Sequence, residues 1–503
     1  MGKVIRDLPD TSSYWAAIWT VCPMPDVHVI CDAPIGCYNL VAIAVSDYTD
    51  AVPHIANITP SVITEHEVGG SGTGPAVQRT YEGLRDAGTL EGKHLIVVST
   101  AESEMIGSDL SDLVTQLKPG TTFFHSDSLA GDEWLGRDQV FKWLWENYGR
   151  AQAKDIAVEP GLVNIIGPTY GCFNSPADLH EVRRLIEGAG GRINLVYPIE
   201  AKLADTPQLA KAQVNVVMYK EFGHTLADTL GQPWLHAPMG MRGTTEFIQR
   251  LGNLLGTQAQ AKAFIQQEKQ TTLQAVWDLW RGPQGDWFGT TNVGIVASGT
   301  YVDGLTAFLG DELGMSVTLS AARPLRRGEL DNSAVRKVLH TKPPAFLFGS
   351  INEKIYLSEA DAKYTSFIPA AFPGPIVRRA VGTPFMGYRG AVYVVQEIVN
   401  RLYEVLFNFL PVDAAYAQLR SGGLPGGATG GMNGAQSAKP GNLPWRPEAK
   451  TLLDGALDKL PFLPRISVSR DLQMRTEALA HDRSLAEVTP EIVEEILKTS
   501  GAS

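Results

Sequence analysis

The feature that most constrains this chain is a repeated local pattern: a short apolar run, a turn rich in Gly, Pro or Ser, then a helical stretch. Residues 94–99 (HLIVVS) lead through 100–107 into a helix expected to run to Leu117. Residues 162–167 (LVNIIG) lead into a helix predicted over 176–187, with Ser175 as N-cap, Pro176 at the first helical position and Asp178 in the first turn. The runs 192–196, 214–218 (VNVVM), 292–297 (NVGIVA) and 345–348 continue the alternation, with a helix expected over 301–313. Repeated strand–turn–helix units wind in one hand and imply mostly parallel sheets of an α/β fold.

The 503 residues suffice for three such domains at roughly 150 residues each. Soft boundaries give α/β domains over 1–160, 161–290 and 291–420, the last ending in a long amphipathic helix. Residues 421–441 hold 8 glycines without an apolar period, so 421–442 reads as a linker. Residues 443–503 read as a small helical C-terminal module, with helical patterns at 471–480 and 489–497. The apolar stretch 392–410 is broken by Gln396, Glu397, Asn400, Arg401 and Glu404, so no membrane span is expected. Residues 1–15 carry charges and a proline and lack the apolar core of a signal peptide, so a cytosolic protein is expected.

Chemistry is narrowed first by exclusion. A net charge of −11 with no basic stripe argues against nucleic acid as a partner. The best phosphate-loop candidate, 88–93 (GTLEGK), is too short between its glycines, and His94 follows the lysine where Ser or Thr is needed. Residues 69–74 (GGSGTG) could cradle an anion, although a tight turn is the plainer reading. The four cysteines, Cys22, Cys31, Cys37 and Cys172, form no CxxC pair, so this chain alone is not expected to hold a metal cluster.

Cys37, in APIGCYN, follows the strand expected over 27–31. A thiol in such a Gly-containing turn is either a plain buried side chain or a ligand presented at a domain surface. Cys31 reads as core, Cys22 is ambiguous before a proline, and Cys172, in YGCFN, follows a strand of the second domain. His224 and His236 follow strands or turns and read as structural or cleft-lining. Asp286 lies in WRGPQGDW between Trp280 and Trp287; it is either a turn-capping carboxylate or an acid whose pKa the aromatics raise.

Several segments together resemble the nitrogenase-like oxidoreductases. Residues 97–110 (VVSTAESEMIGSDL) are similar to the family's TCxxExIGDDL stretch: Thr100, Glu104, Ile106, Gly107, Asp109 and Leu110 match, while the family cysteine falls on Ala101. Residues 63–70 (ITEHEVGG) resemble TEEDxVFGG, and APIGCYN resembles the turn carrying another cluster cysteine, matched by Cys37. The N-terminal-most family cysteine has no counterpart; Cys22 is a poor fit. The tail PWRPEA…LPFLPR resembles the C-terminal module of chlorophyll-precursor-reducing members, so the resemblance covers nearly the whole chain.

The resemblance implies three Rossmann-like domains and an oxidoreductase acting on a CH–CH bond, active only in a complex. It implies a 4Fe–4S cluster shared with a partner chain, which supplies three ligands while Cys37 supplies one. The core would be a heterotetramer of two plus two. Electrons would come from a separate iron protein, which uses ATP and Mg that this chain does not bind. Within the family, Cys37 with YTDAVPHIANITPSVITEHEVGG and FLPRISVSRDL favours the branch that reduces the C7–C8 double bond of ring B of chlorophyllide a. The B-type chains of light-independent protochlorophyllide reductase, an alternative, carry an aspartate at the position of Cys37. Alignment of WRGPQGD with those chains puts a proton donor on Asp286. A pocket for a flat apolar macrocycle would draw on Trp280, Trp287, Phe385, Met386 and Tyr388, each of which could equally be core. Two readings of other classes stay open: a non-catalytic scaffold for metal-cofactor assembly, and a periplasmic-type binding protein, which the missing signal peptide and the linker and tail disfavour.

Overall fold

A computed structural model describes residues 12–47, 56–280, 288–325, 328, 330–362, 364–372, 383–409, 443–457, 472–473, 475–483 and 485–499. It divides into two compact units, residues 1–398 and 399–503. The first unit holds three four-stranded sheets, every pairing of which is parallel. The first contains β1 (Val27–Asp32), β2 (Ile58–Pro60), β3 (His94–Ser99) and β4 (Thr122–Phe124) in the order β2-β1-β3-β4. The second contains β5 (Leu162–Ile166), β6 (Arg192–Tyr197), β7 (Val214–Val217) and β8 (Trp234–His236) in the order β6-β5-β7-β8. The third contains β9 (Asn292–Ala297), β10 (Ser316–Ala322), β11 (Phe346–Gly349) and β12 (Ser366–Pro369) in the order β10-β9-β11-β12.

In each sheet the chain starts in the middle, winds one way for one strand, then returns and winds the other way. The crossovers after the first and third strands therefore leave on opposite sides and open a crevice at the carboxyl ends of those two strands. The central strands β1, β5, β7 and β11 are buried at every position, as strands covered on both faces must be. These are the runs whose apolar character shows in the sequence. Strands β2, β4, β8 and β12 lie at sheet edges with three or four residues each, and edge strand β10 alternates exposed and buried residues, so none of these five stands out by composition.

Several local expectations are corrected. The stretch 100–117 is two helices, Ala101–Ile106 and Ser111–Gln116, because Gly107 at φ 76° ends the first turn left-handed. The helix after β5 is Ser175–Gly188, and its N-cap is Asn174, not Ser175. Asp178 does not serve that helix start alone; it is wholly buried and accepts from the backbone N–H of Phe385 (2.7 Å) and Met386 (3.0 Å). The helix after β9 begins at Gly299, and after Thr306 continues as a π-turn over Ala307–Glu312.

The helix Gly387–Phe409 follows, and Ala391, Val394, Val395 and Ile398 form its buried stripe in the first unit. The second unit, among the described residues, is a small helical body. Helices Pro447–Leu457 and Pro490–Thr499 close around Ala449, Leu453, Leu472, Val488 and Val493. Its rim is pinned by the Trp445 indole N–H on Glu477 (2.9 Å). No described helix is long and apolar enough to cross a membrane.

Candidate functional site

The crevice of the first sheet lies between the carboxyl ends of β1 and β3. After β1 the chain turns through Ala33 and Pro34 and enters the helix Ile35–Asp47, so Cys37 stands in a first helical turn rather than in the open turn expected. After β3, Thr100 caps the helix Ala101–Ile106 through a reciprocal pair with Ser103, which fixes Glu102 in the first turn. The Thr100 hydroxyl also donates to the Asp32 carbonyl (2.8 Å), tying the two strand ends together. Asp32, wholly buried, takes hydrogen bonds from Ser61 (3.0 Å) and Thr73 (2.6 Å), and burial raises its pKa.

These ties bring Cys37 and Glu102 together. The Cys37 thiol donates to Glu102 Oε1 at 2.8 Å. Burial first, then the neighbouring carboxylate, pushes the thiol pKa up to about 12. Tyr14, on the helix Ser13–Val21, donates its hydroxyl to the Cys37 carbonyl at 2.9 Å and fixes the first turn from the other side. Cys37 is partly exposed, whereas Cys22, Cys31 and Cys172 are buried. Cys31 is 1% exposed in β1, as core requires. Cys172 receives a hydrogen bond from the wholly buried Arg137 (3.2 Å).

The ITEHEVGG segment forms the next wall. Glu67 is buried and accepts from Thr64 N–H (3.0 Å), the Thr64 hydroxyl and Arg79 (2.6 Å), which lower its pKa to about 2. The following glycines make a turn, with Gly72 at φ 68°, and Thr73 N–H is taken by Ser108 Oγ (3.2 Å). Around the crevice, large apolar side chains face outward: Ile35 (51% exposed), Leu40 (59%), Val68 (57%) and Met105 (75%). They lie on segments that leave the same sheet edge as Cys37.

Among the described residues the donors at this crevice are too few to hold a metal–sulfur cluster by themselves. They offer one accessible thiol, Cys37, with the Glu102 carboxylate beside it, and Ala101 begins the helix that carries Glu102. Among the described residues, no group of three or more His, Cys, Asp or Glu is arranged to hold a metal ion.

Of the residues expected to line a substrate pocket, some are described and some are not. Asp286 and Trp287 lie outside the described residues, as does the side chain of Trp280. Phe385, Met386 and Tyr388 are at most 1% exposed. Phe385 packs against Phe173, Tyr301 and Tyr393 at 5.4–5.9 Å between ring centroids. Tyr388 shares a hydrogen bond with Thr245 (2.7 Å). Their chain neighbours Thr383, Pro384, Arg389 and Tyr393 line a cavity of about 570 Å³ beside Thr272, just ahead of the helix Gln274–Trp280. Glu102 and Tyr14 were missed from sequence. Glu102 carried a signal, its place next to Ala101 in the matched motif; Tyr14 carried none, since only the fold brings it to Cys37.

Three four-stranded parallel sheets wound in one order, with a partly exposed thiol at the crevice of the first, define a protein of three Rossmann-like α/β layers. The chain belongs to the nitrogenase component 1 type oxidoreductase family, whose profile matches residues 12–403. It is similar to the B-type chain of the light-independent protochlorophyllide reductase of Chlorobium phaeobacteroides (strain BS1), 24% identical over 93% of this chain and 94% of that one. The corresponding B-type chain from Chloroflexus aurantiacus (strain ATCC 29364 / DSM 637 / Y-400-fl) is 27% identical over 58% of this chain and 55% of its own length. A nitrogenase chain, Cp1 at pH 6.5, shares the fold at a TM-score of 0.64 and 18% identity, over 81% of this chain and 95% of that chain.

Proposed function

We propose that this chain is the Z-type catalytic-core component of a chlorophyllide a reductase, which reduces the C7–C8 double bond of ring B in bacteriochlorophyll synthesis. The observation that carries it is Cys37: one partly exposed thiol at the crevice of the first sheet, with no second thiolate beside it. A donor set of this kind calls for a cluster completed by another chain, and the apolar rim at Ile35, Leu40 and Met105 supports a Y-type partner docked there. When bound, the shared 4Fe–4S cluster would relay single electrons delivered by an X-type, ATP-hydrolysing iron protein.

The chain's own residues would do the rest. Cys37 would bind as thiolate, which requires its proton to leave; Glu102, already hydrogen-bonded to the sulfur, is placed to accept it. Tyr14 and the Thr100–Asp32 link would hold the ligand in register. Asp286 would donate a proton to the macrocycle, with Trp280 and Trp287 beside it. The cavity bounded by Thr383, Pro384 and Tyr393 would take an edge of the pigment, with Phe385, Met386 and Tyr388 forming the packed layer behind it.

The test is the full system: this chain, its partner and the iron protein with ATP. Incubation with chlorophyllide a should yield a red-shifted bacteriochlorin absorption band. Turnover of protochlorophyllide in its place would establish the B-type reading instead, and cluster transfer to an acceptor without pigment turnover would establish a scaffold. Cys37→Ala should lower iron content and abolish reduction; unchanged iron would remove the ligand assignment.

A further inference from the structure

We propose that the cavity between the second and third sheets is a binding site for a small organic anion with an apolar body. This inference does not rest on the reading of Cys37. The cavity, of about 320 Å³, lies where the carboxyl ends of β5 and β7 face those of β9 and β11. Both are switch points of their sheets, the place where open α/β folds take ligands. The volume is at the lower end for small-molecule sites and suits a metabolite much smaller than a tetrapyrrole.

The acceptors and helix ends around the cavity are already engaged. Asp132 accepts from the N–H groups of Trp134 and Leu135, both at 2.9 Å. Glu353 accepts from Ser350 N–H (2.8 Å) and Oγ (2.7 Å). At the two helix starts, Thr300 N–H gives to Glu221 (2.6 Å) and Asn352 N–H to Ser350 Oγ (3.2 Å).

Two donors in the wall are left over. The Tyr219 hydroxyl, on a side chain 2% exposed, has no oxygen or nitrogen to bond, only the weakly accepting Cys172 sulfur beside it. The buried Arg323 Nη2 has no hydrogen-bond partner. The rest of the Arg323 guanidinium is hydrogen-bonded to Asn332 Oδ1 (2.6 Å) and the carbonyls of Ala322 (2.8 Å) and Leu330 (3.1 Å), and it feels the charge of the buried Glu353 carboxylate in the wall, already bound by Ser350. Buried donors in native proteins are almost always satisfied, and a guanidinium N–H left over in the same wall as a free hydroxyl is met best by a charged oxygen acceptor.

The remaining wall is aromatic. Phe173 packs edge-on to Tyr301 (5.8 Å) and to Phe372 (5.3 Å), and all three line the cavity. The ligand this geometry fits has a carboxylate or phosphate toward Arg323 and Tyr219 and a flat apolar part against the rings.

Calorimetric titration of the full-length chain with benzoate, phenyl phosphate and inorganic phosphate tests the assignment. Benzoate or phenyl phosphate should bind saturably. The affinity should fall roughly tenfold or more in Arg323→Met, and by less in the isosteric Tyr219→Phe, while Cys37→Ala should bind as the parent does. Absence of saturable binding by any probe would overturn the site, as would unchanged affinity in Tyr219→Phe and in a folded Arg323→Met. Equal affinity for inorganic and phenyl phosphate would overturn it too, because the aromatic wall would then contribute nothing.

Discussion

At the scale of single residues, the walls of the first crevice depend on side chains that hold backbone in place. Glu67 is the clearest case. Its pKa is depressed from the ordinary 4.5 to about 2 by Thr64 and Arg79, so its contribution to stability is complete above pH 4.5 and is lost as pH falls through about 2. Glu67→Gln should lower the thermal midpoint at neutral pH and flatten its decline on acidification across that window. A parallel decline in parent and variant would show that Glu67 does not carry it. Residue chemistry was the part least legible in the sequence. Cys37 could be singled out because a thiol has few uses and the segments around it matched a family. Its neighbours Glu102 and Tyr14 are, respectively, 65 and 23 residues away along the chain, and no local pattern announces a contact made by the fold. Asp178 misled for the same reason: it reads as a helix-start carboxylate, but it holds the backbone of residues 385–386 more than 200 positions away.

At the scale of elements, legibility followed burial. The mostly apolar inner strands were readable at nearly their true bounds, because a strand covered on both faces is a near-continuous apolar run, and the polar side chains it buries, such as Asn164 and Asn215, bond each other (2.8 Å). Short edge strands bury too little to leave a signature. Helix contacts add a constraint that composition hides. The helix Ser13–Val21 crosses Glu133–Leu144 at Gly136, where a Cβ would come 2.6 Å from Ser13 Cα and 2.9 Å from its carbonyl oxygen. Gly136→Val must push the two helices apart, at a cost of about 1–3 kcal/mol. The expected outcome is a lower thermal midpoint and, under the proposed function, reduced iron retention in the assembled enzyme, since Tyr14 moves with its helix. A stable variant with normal iron would show that the Tyr14–Cys37 contact is dispensable.

At the scale of the whole molecule, the apolar rim of the first crevice is a claim about assembly. Carboxylates placed there should repel a partner without disturbing this chain, because the substituted side chains face outward. Leu40→Asp with Met105→Asp should leave the stability of the isolated chain within about 1 kcal/mol of the parent and abolish co-elution with the partner chain in size-exclusion chromatography. Undiminished co-elution would place the interface elsewhere. The α/β fold with parallel sheets could be read from the chain because strand–turn–helix repetition is a pattern in one dimension. The identical winding of the three sheets could not, since strand order is fixed by which edge each crossover reaches.

Under the proposed function, a crevice that offers Cys37 and no second thiol makes iron uptake a measure of pairing. Iron measured per mole of this polypeptide would count paired chains, not folded ones. Titrating the partner into a fixed amount of this chain would then give an iron curve that breaks at the pairing stoichiometry, and a chelator that strips the metal would weaken the pairing by as much as pairing strengthens the hold on the metal.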